Sequence, residues 1–263
     1  MPAPPLFDTD VAPPHPFLLA MEYRALLELG AFAMWRPFLP LLPRGDGHGV
    51  LIVPGFVQDE KAVIPLQKAL RRLGYQSQTW DQGRNLGFSK AALASLRAQV
   101  EGVAQSTGNR VSIIGWSLGG IFARELAFEI PDELRLVITL ASPFGRNPHA
   151  SNMRWLYDLM TKSKVDEIDD EMVLRIRQPL PVPSTAIYSR ADGIVAWETC
   201  VDELLCDTNE NVEVLGSHSG LGFNVQVLCV IADRLAQPRD AWRKMTFASK
   251  CFLPPKPTKQ GLY

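Results

Sequence analysis

The chain has 263 residues, of which 46% are hydrophobic and 21% are charged. This composition is ordinary for a globular protein of one or two domains and excludes wholesale disorder. Its 27 basic and 28 acidic residues leave a net charge of −1, so no excess of positive charge predicts nucleic acid as a partner.

The N-terminal region divides into a proline-rich arm and an apolar segment. Six of the first sixteen residues are proline, which predicts a mobile arm that is not helical. The apolar segment Phe17–Trp35 carries Glu22, Arg24 and Glu28, and three charges disfavour a membrane span. We expect a helix packed on the body of the protein; a helix at a membrane surface or in a dimer is the alternative.

Short apolar runs alternate with longer helical patterns from residue 50 onward. Six runs are predicted strands: Val50–Val53, Tyr75–Trp80, Val111–Ile114, Leu136–Leu140, Thr185–Tyr188 and Val212–Leu215. Four patterns are predicted helices: Gln58 to Leu73, Ser89 to Thr107, Leu118 to Ile130 and Phe223 to Leu235. This alternation predicts an α/β protein with a mostly parallel central sheet flanked by helices. Its functional site should lie beyond the carboxyl ends of the strands.

The segment between the fourth and fifth predicted strands interrupts this alternation. It holds an apolar cluster between Met153 and Met160, then an acidic stretch, then three prolines. We expect residues 146–183 to form a helical cap insertion over the site, with helical filler as the alternative. The acidic stretch predicts a solvated face rather than a metal site.

These patterns predict three parts of the chain. Residues 1–43 form the arm and N-terminal helix, residues 44–236 the main domain with its insertion, and residues 237–263 a C-terminal tail. No basic region precedes an apolar run at the N-terminus, so we expect no secretory signal peptide. The expected location is the cytoplasm, with residues 17–35 as the candidate contact to a membrane surface.

Cysteine usage favours neither a disulfide scaffold nor a metal site. The four cysteines, at positions 200, 206, 229 and 251, lack the paired spacing of structural zinc sites. We expect free thiols, with a Cys200–Cys206 bridge as the alternative. No metal or organic cofactor is expected.

A candidate nucleophile lies between the third strand and the helix that follows it. Residues 115–119 read Gly-Trp-Ser-Leu-Gly, the G-x-S-x-G pattern in its strand-to-helix context. A sharp turn of this kind strains the serine backbone and requires small neighbours, which Gly115 and Gly119 supply. Ser117 then sits at a helix N-terminus, where developing negative charge is favoured. The alternative is a plain glycine turn.

Four segments together resemble the α/β-hydrolase superfamily, in particular its bacterial lipases and esterases. Residues 44–56 resemble the entry to that family's oxyanion strand, and residues 115–120 its nucleophile elbow. Residues 188–195 resemble its acid loop, and residues 216–222 its histidine loop. The resemblance covers about residues 44–236 and implies the α/β-hydrolase fold.

The residue order supports His218 as general base and Asp192 as the orienting acid. Of the four histidines, only His218 follows both Ser117 and Asp192, which is the chain order of this fold. The rival position for the acid, directly after the fourth strand, contains no carboxylate. Asp81, after the second strand, is a weaker alternative. The alternatives are a loop histidine that caps the next helix and an ordinary Asp-Gly turn.

The oxyanion hole needs two amides directed at the developing charge. Leu118 supplies one, and the resemblance implies the amide of Phe56 as the other, unless Pro54-Gly55 is only a turn. Phe56 and Trp116 are the expected substrate contacts. The glycine-rich loop 83–87 lacks a phosphate-binding spacing and predicts a loop at the edge of the site, with Asn85 hydrogen-bonded inside it.

These residues predict a serine hydrolase that cleaves a small-molecule or lipid ester with a hydrophobic acyl group. Acyl transfer or thioester cleavage by the same triad is the alternative within catalysis, because the fold does not choose the substrate. A non-catalytic binding member of the fold is the alternative outside it.

Overall fold

The computed structural model describes residues 11–145, 150–152, 170–238 and 241–245, together with the backbone of residues 256–257. Seven strands form one sheet: β1 Gly49–Val53, β2 Gln76–Thr79, β3 Val111–Trp116, β4 Leu134–Leu140, β5 Ser184–Tyr188, β6 Asn209–Glu213 and β7 Lys256–Pro257. Their order is β2-β1-β3-β4-β5-β6-β7. The first six are parallel, and β7 pairs antiparallel with β6. The predicted α/β class with a mostly parallel sheet is confirmed.

Helices cover both faces of this sheet. The described α-helices are α1 Pro16–Ala20, α2 Ala25–Trp35, α3 Glu60–Arg72, α4 Lys90–Thr107, α5 Leu118–Glu129, α6 Asp170–Ile176 and α7 Val225–Leu235. Strand β1 shows how two cores arise, because alternate side chains point to opposite faces. Val50 and Ile52 join the core under α3 and α7, whereas Leu51 and Val53 join the core under α4 and α5.

Strand β6 differs from its prediction in a way that the hydrophobic pattern could not reveal. It begins at Asn209 and ends at Glu213, and Leu215 lies beyond it with 76% of its surface exposed. Its polar residues are buried because they have partners. Glu210 accepts hydrogen bonds from Thr185 and Arg234, and the side-chain amide of Asn211 bonds the backbone of Asp202.

The apolar N-terminal segment is helical and packs on the body, as predicted. A 3₁₀ turn, Met21–Arg24, joins α1 to α2, and a second, Arg36–Leu41, follows α2. Phe32 and Leu39 are buried in the core under α3 and α7. Within the described part of the chain, no helix is both long and apolar enough to cross a membrane.

The predicted cap insertion is only partly described. Its described helix, α6, lies against α5, with Met172 and Ile176 buried in the core under α4 and α5. Residues 146–149 and 153–169 lie outside the described residues, and with them the apolar cluster between Met153 and Met160. A cap over the site therefore stays a prediction.

The expectation of free thiols is confirmed for two cysteines and wrong for one. Cys200 and Cys206 are free, so the alternative bridge between them does not form. Cys229, which lies on α7, is disulfide-bonded. Because disulfides are rare in reducing compartments, this bond gives no support to the cytoplasmic location, which stays a prediction.

Candidate active site

The turn between β3 and α5 holds Ser117 in a strained conformation. Its φ is 52° and its ψ is −120°, a combination that residues other than glycine rarely adopt and that costs about 1–3 kcal/mol. The surrounding backbone holds the turn in place: Ser117 N–H donates to Leu140 at 2.8 Å, and Gly120 N–H donates to Ser117 at 3.0 Å. The side chain of Ser117 thereby stands at the N-terminus of α5, partly exposed, at the carboxyl edge of the sheet.

Close backbone contacts explain the glycines of the elbow. A Cβ added to Gly115 would lie 2.4 Å from the carbonyl oxygen of Gly119, and one added to Gly119 would lie 2.3 Å from the carbonyl oxygen of Val53. Both distances are far inside van der Waals contact with backbone atoms that cannot move aside. The sequence argument for small residues around the serine is therefore confirmed.

The acid loop after β5 and the histidine loop after β6 meet at the same edge. Nδ1 of His218 lies 2.7 Å from Oδ2 of Asp192, and both side chains are almost fully buried. The other carboxylate oxygen of Asp192 accepts the backbone N–H groups of Ile194 and Val195, each at 2.8 Å. Two backbone donors thus hold the carboxylate and direct its other oxygen at the imidazole.

The neighbours of His218 raise its pKa by more than its burial lowers it. Burial by itself lowers the pKa of the imidazole, because it penalises the charged form. The negative charge of Asp192, its hydrogen bond and the negative charge of Glu22 act in the opposite direction, and the pKa of His218 is raised above 6.5. The site therefore favours the imidazolium form, which a general base passes through during catalysis.

The loop after β1 lies directly beside Ser117. A Cβ on Gly55 would be 3.1 Å from Cβ of Ser117, a tight contact that glycine avoids where the two turns approach. Asn85 is fully buried and donates from its side chain to the carbonyl of Pro54 at 2.9 Å, while its own carbonyl accepts Val57 N–H at 2.7 Å. The 83–87 loop therefore holds the loop that carries Phe56 in place, through the hydrogen bonds of Asn85 to Pro54 and Val57.

Trp116 lies beneath the histidine loop rather than on the surface of the site. Its side chain is 1% exposed, and its indole N–H donates to the carbonyl of His218 at 3.1 Å. The ring packs edge-on against Phe223, and a Cβ on Gly222 would be 2.5 Å from it. This position gives the expected substrate contact no support and instead makes Trp116 a support of the histidine loop.

The remaining sequence candidates lie elsewhere or have other partners. His48 is buried at the start of β1, between Asp46 and the hydroxyl of Ser112, and so stands at the opposite end of the sheet. His15 accepts the N–H of Phe17 and caps α1. Asp81 is exposed, and His149 lies outside the described residues. No group of three or more potential metal ligands occurs among the residues that the structure describes.

Sequence reasoning missed the contribution of the N-terminal segment to this site. The backbone N–H groups of Gly193, His218 and Ser219 all donate to the carboxylate of Glu22. The only sequence signal was the presence of charges in an otherwise apolar helix, which we used to exclude a membrane span. Such charges do not reveal their partners, which lie more than 170 residues away.

Comparison with known proteins gives matches in sequence and in structure. No protein-family model matches the chain. Over 60 residues, 23% of the chain, it is 37% identical to a pimeloyl-[acyl-carrier protein] methyl ester esterase of Salmonella newport (strain SL254), and the match spans 22% of that enzyme.

Two solved structures extend the similarity to most of the chain. Aspergillus fumigatus lipase B has a TM-score of 0.57 at 18% identity, covering 73% of this chain and 53% of the lipase. A monoacylglycerol lipase of Paleococcus ferrophilus has a TM-score of 0.53 at 13% identity, covering 74% and 96%. The parallel sheet, the strained turn after β3 and these structural matches agree, and the chain has the α/β-hydrolase fold.

Proposed function

We propose that the protein is a serine hydrolase that cleaves carboxylic esters with an apolar acyl group. The observation that carries the proposal is the buried His218–Asp192 pair at the sheet edge where Ser117 occupies its strained turn. A serine hydroxyl needs a base to become a nucleophile, and an imidazole oriented by a carboxylate is such a base. The names of the matched proteins, one esterase and two lipases, support the same class of reaction.

In the first half of the reaction, the oxygen of Ser117 attacks the ester carbonyl carbon while Nε2 of His218 takes the hydroxyl proton. The carbonyl oxygen becomes an oxyanion that accepts the backbone N–H groups of Phe56 and Leu118. When this intermediate collapses, the bond to the alcohol oxygen breaks and His218 gives its proton to the leaving alcohol. The acyl group is then bound to Ser117 as an ester.

In the second half, water replaces the alcohol. His218 takes a proton from water as its oxygen attacks the acyl carbon, and the same two amides hold the second oxyanion. Collapse releases the carboxylic acid and returns the proton from His218 to Ser117. Asp192 stays ionised throughout and stabilises the imidazolium form of His218.

An apolar acyl group suits the surroundings of Ser117. Phe56 is partly buried and packs against the core under α4 and α5, next to the Gly55 position that approaches Ser117. Leu118, on the other side of the nucleophile, is also apolar and buried. Apolar side chains around a carbonyl site favour acyl chains over charged ones, because burial of apolar surface contributes about 25 cal/mol per Å².

The test is hydrolysis of p-nitrophenyl esters of increasing acyl length by the parent and by Ser117→Ala. We expect kcat/KM to rise with chain length and Ser117→Ala to lower kcat by at least about 10⁴-fold. Ser106→Ala is the matched control, because Ser106 lies on α4 and bonds only its own helix backbone. Full activity in Ser117→Ala would refute the proposal.

Two additional readouts separate the alternatives. Labelling of Ser117 by a fluorophosphonate reports an activated serine, and its absence would favour a non-catalytic binding protein. Addition of a simple alcohol to the assay tests for acyl transfer: an ester product at the expense of free acid would identify an acyltransferase.

We also propose that the N-terminal helical segment contacts an anionic lipid surface. Large apolar side chains on its outer face are exposed: Leu26, Leu27, Met34, Phe38 and Leu41. Close to Phe38 and Leu41 in the chain, three exposed arginines, Arg36, Arg44 and Arg72, line a cavity of about 230 Å³, and the described residues that line it include no carboxylate. Apolar side chains flanked by cationic ones suit insertion among anionic headgroups.

Flotation with vesicles tests this surface without disturbing the site. The triple variant Leu26→Ser, Leu27→Ser, Met34→Ser should lose binding to vesicles of phosphatidylglycerol while keeping activity on a soluble ester. Substitution is preferable to deletion of the segment, since Glu22 and Glu28 bond the catalytic loops. Equal flotation of parent and variant would refute the lipid contact.

A further inference from the structure

The carboxylate of Glu22 joins the two loops that carry Asp192 and His218. Its Oε1 accepts the backbone N–H of Gly193 at 2.9 Å and that of His218 at 3.0 Å. Its Oε2 accepts the backbone N–H of Ser219 at 2.9 Å. Three charge-assisted hydrogen bonds thus converge on one side chain from two loops that follow different strands.

Two neighbours on the same segment reinforce the junction. Glu28 accepts the backbone N–H of Ser217 at 2.8 Å and the side-chain amide of Asn224 at 3.0 Å. Arg24 donates to the carbonyls of Ala191 and Gly216, one in each loop. The segment therefore binds both loops through donors and acceptors alike.

The glycines of the two loops show how closely the segment approaches. A Cβ on Gly193 would lie 2.3 Å from the carbonyl oxygen of Leu18, and a Cβ on Gly220 would lie 2.3 Å from Oε2 of Glu28. Any larger residue at Gly193 would push against rigid backbone. The Asp-Gly dipeptide after β5 is therefore explained by the N-terminal segment and not only by a turn.

We propose that Glu22 is a positioning residue that sets the distance and orientation of His218 relative to Asp192. The inference rests on the proposed function, because it assigns to Glu22 an effect on that reaction. Glu22 bonds the residue after Asp192 and the backbone of His218 itself, so a shift of either loop must stretch a bond to the same carboxylate. Misplacement of catalytic groups by about 1 Å can cost about 100-fold in rate.

The charge of Glu22 adds an effect that a purely structural contact would not have. The charged groups that face His218 are Asp192 from the acid loop and Glu22 from the N-terminal segment, with Glu28 and Arg24 bound to the backbone nearby. The negative charge of Glu22 raises the pKa of His218. Removal of that charge should lower this pKa and extend activity to lower pH, because the base then loses its proton at lower pH.

Two variants of Glu22 test the proposal. In Glu22→Gln the amide oxygen can still accept a hydrogen bond, but the NH₂ group faces the N–H of Ser219 and the charge is gone. In Glu22→Ala all three bonds are lost. Glu101→Gln is the matched control, because Glu101 is an exposed glutamate on α4 whose partner is Arg97.

We expect Glu22→Ala to lower kcat by about 10- to 100-fold with little change in KM. Glu22→Gln should lower it less and shift the acid limb of kcat/KM to lower pH, whereas Glu101→Gln should change neither. Thermal unfolding and circular dichroism establish that each variant is folded. If Glu22→Ala does not fold, the kcat and the pH profile of Glu22→Gln test the positioning role of Glu22.

A folded Glu22→Gln variant with the parent's kcat and the parent's acid limb would overturn the proposal. Loss of thermal stability alone, with both kinetic readouts unchanged, would also overturn it, since it would show a structural role only. Ser117→Ala in the same assay separates the two failures: if that variant stays active, the proposed function fails whatever Glu22 does.

Discussion

At the scale of single residues, the site depends on how neighbours change the chemistry of one imidazole. A histidine that is almost fully buried would ordinarily lose its proton easily. Here Asp192 and Glu22 place negative charge beside it, and the pKa of His218 rises above its ordinary value. The hydrogen bond to Asp192 fixes which ring nitrogen faces the carboxylate, namely Nδ1.

The pH dependence of kcat/KM follows from this shift. A general base works only when it has lost its proton, so the acid limb should have its midpoint above 6.5. Asp192→Asn should move that midpoint down and lower kcat on the order of 10³- to 10⁴-fold, because charge and orientation are both lost. Rate measurements on a soluble ester across the titration range of histidine check both. A midpoint below 6.5 in the parent would contradict the charge argument.

At the scale of elements, loops that follow neighbouring strands hold one another. Strands β1 and β2 are paired in parallel, so their carboxyl ends place the loops 54–58 and 83–87 side by side. Asn85 links the two loops through hydrogen bonds to Pro54 and Val57. The amide of Phe56, which we assign to the oxyanion hole, lies between those two anchored residues.

Asn85→Ala should therefore impair catalysis without disturbing the nucleophile. The variant leaves the buried carbonyl of Pro54 without its side-chain partner, at a cost of about 1–3 kcal/mol. We expect a lower kcat, little change in KM and unchanged fluorophosphonate labelling stoichiometry at saturation. Asn109→Ala, at an exposed position after α4, is the control. An Asn85→Ala enzyme with the parent's kcat would rule out this anchoring role.

At the scale of the whole molecule, the arginine of a buried ion pair connects α5 to the described part of the insertion and to the segment before β6. Arg124 on α5 is 1% exposed, lies 2.8 Å from Asp202 and stacks over Phe144. It also donates to the carbonyls of Ile176 and Gln178 at the end of α6. One side chain thus joins α5, α6 and the segment before β6.

Loss of Arg124 should destabilise the protein as a whole. Arg124→Ala leaves Asp202 buried without its ion-pair partner, and such a change typically lowers the free energy of unfolding by about 3–5 kcal/mol. Denaturant unfolding followed by circular dichroism measures it. Arg97→Ala, which breaks an exposed pair with Glu101, should give no measurable change. Equal stability of the two variants would contradict the importance of the buried pair.

Local pattern was enough to predict most of the elements and the strained turn that holds Ser117. The sequence located β1 to β5 within two residues at each end. Strands β1, β3, β4 and β5 are largely buried apolar runs, whereas the edge strand β2 is polar and was bracketed by Tyr75 and Trp80. The turn after β3 was predictable because its glycines and serine follow a short sequence motif. Close backbone contacts explain why the motif contains glycine. Chain order then singled out His218 and Asp192, and the two side chains meet at 2.7 Å.

Long-range contacts decided the rest, since no local pattern records them. Strand β6 is polar because Thr185, Arg234 and Asp202 satisfy its buried side chains. Trp116 turned out to support the histidine loop, although its place in the motif pointed toward substrate. The bonds from Glu22 and Glu28 to the acid and histidine loops form only in the folded chain, because tertiary packing and not sequence spacing brings together partners so far apart.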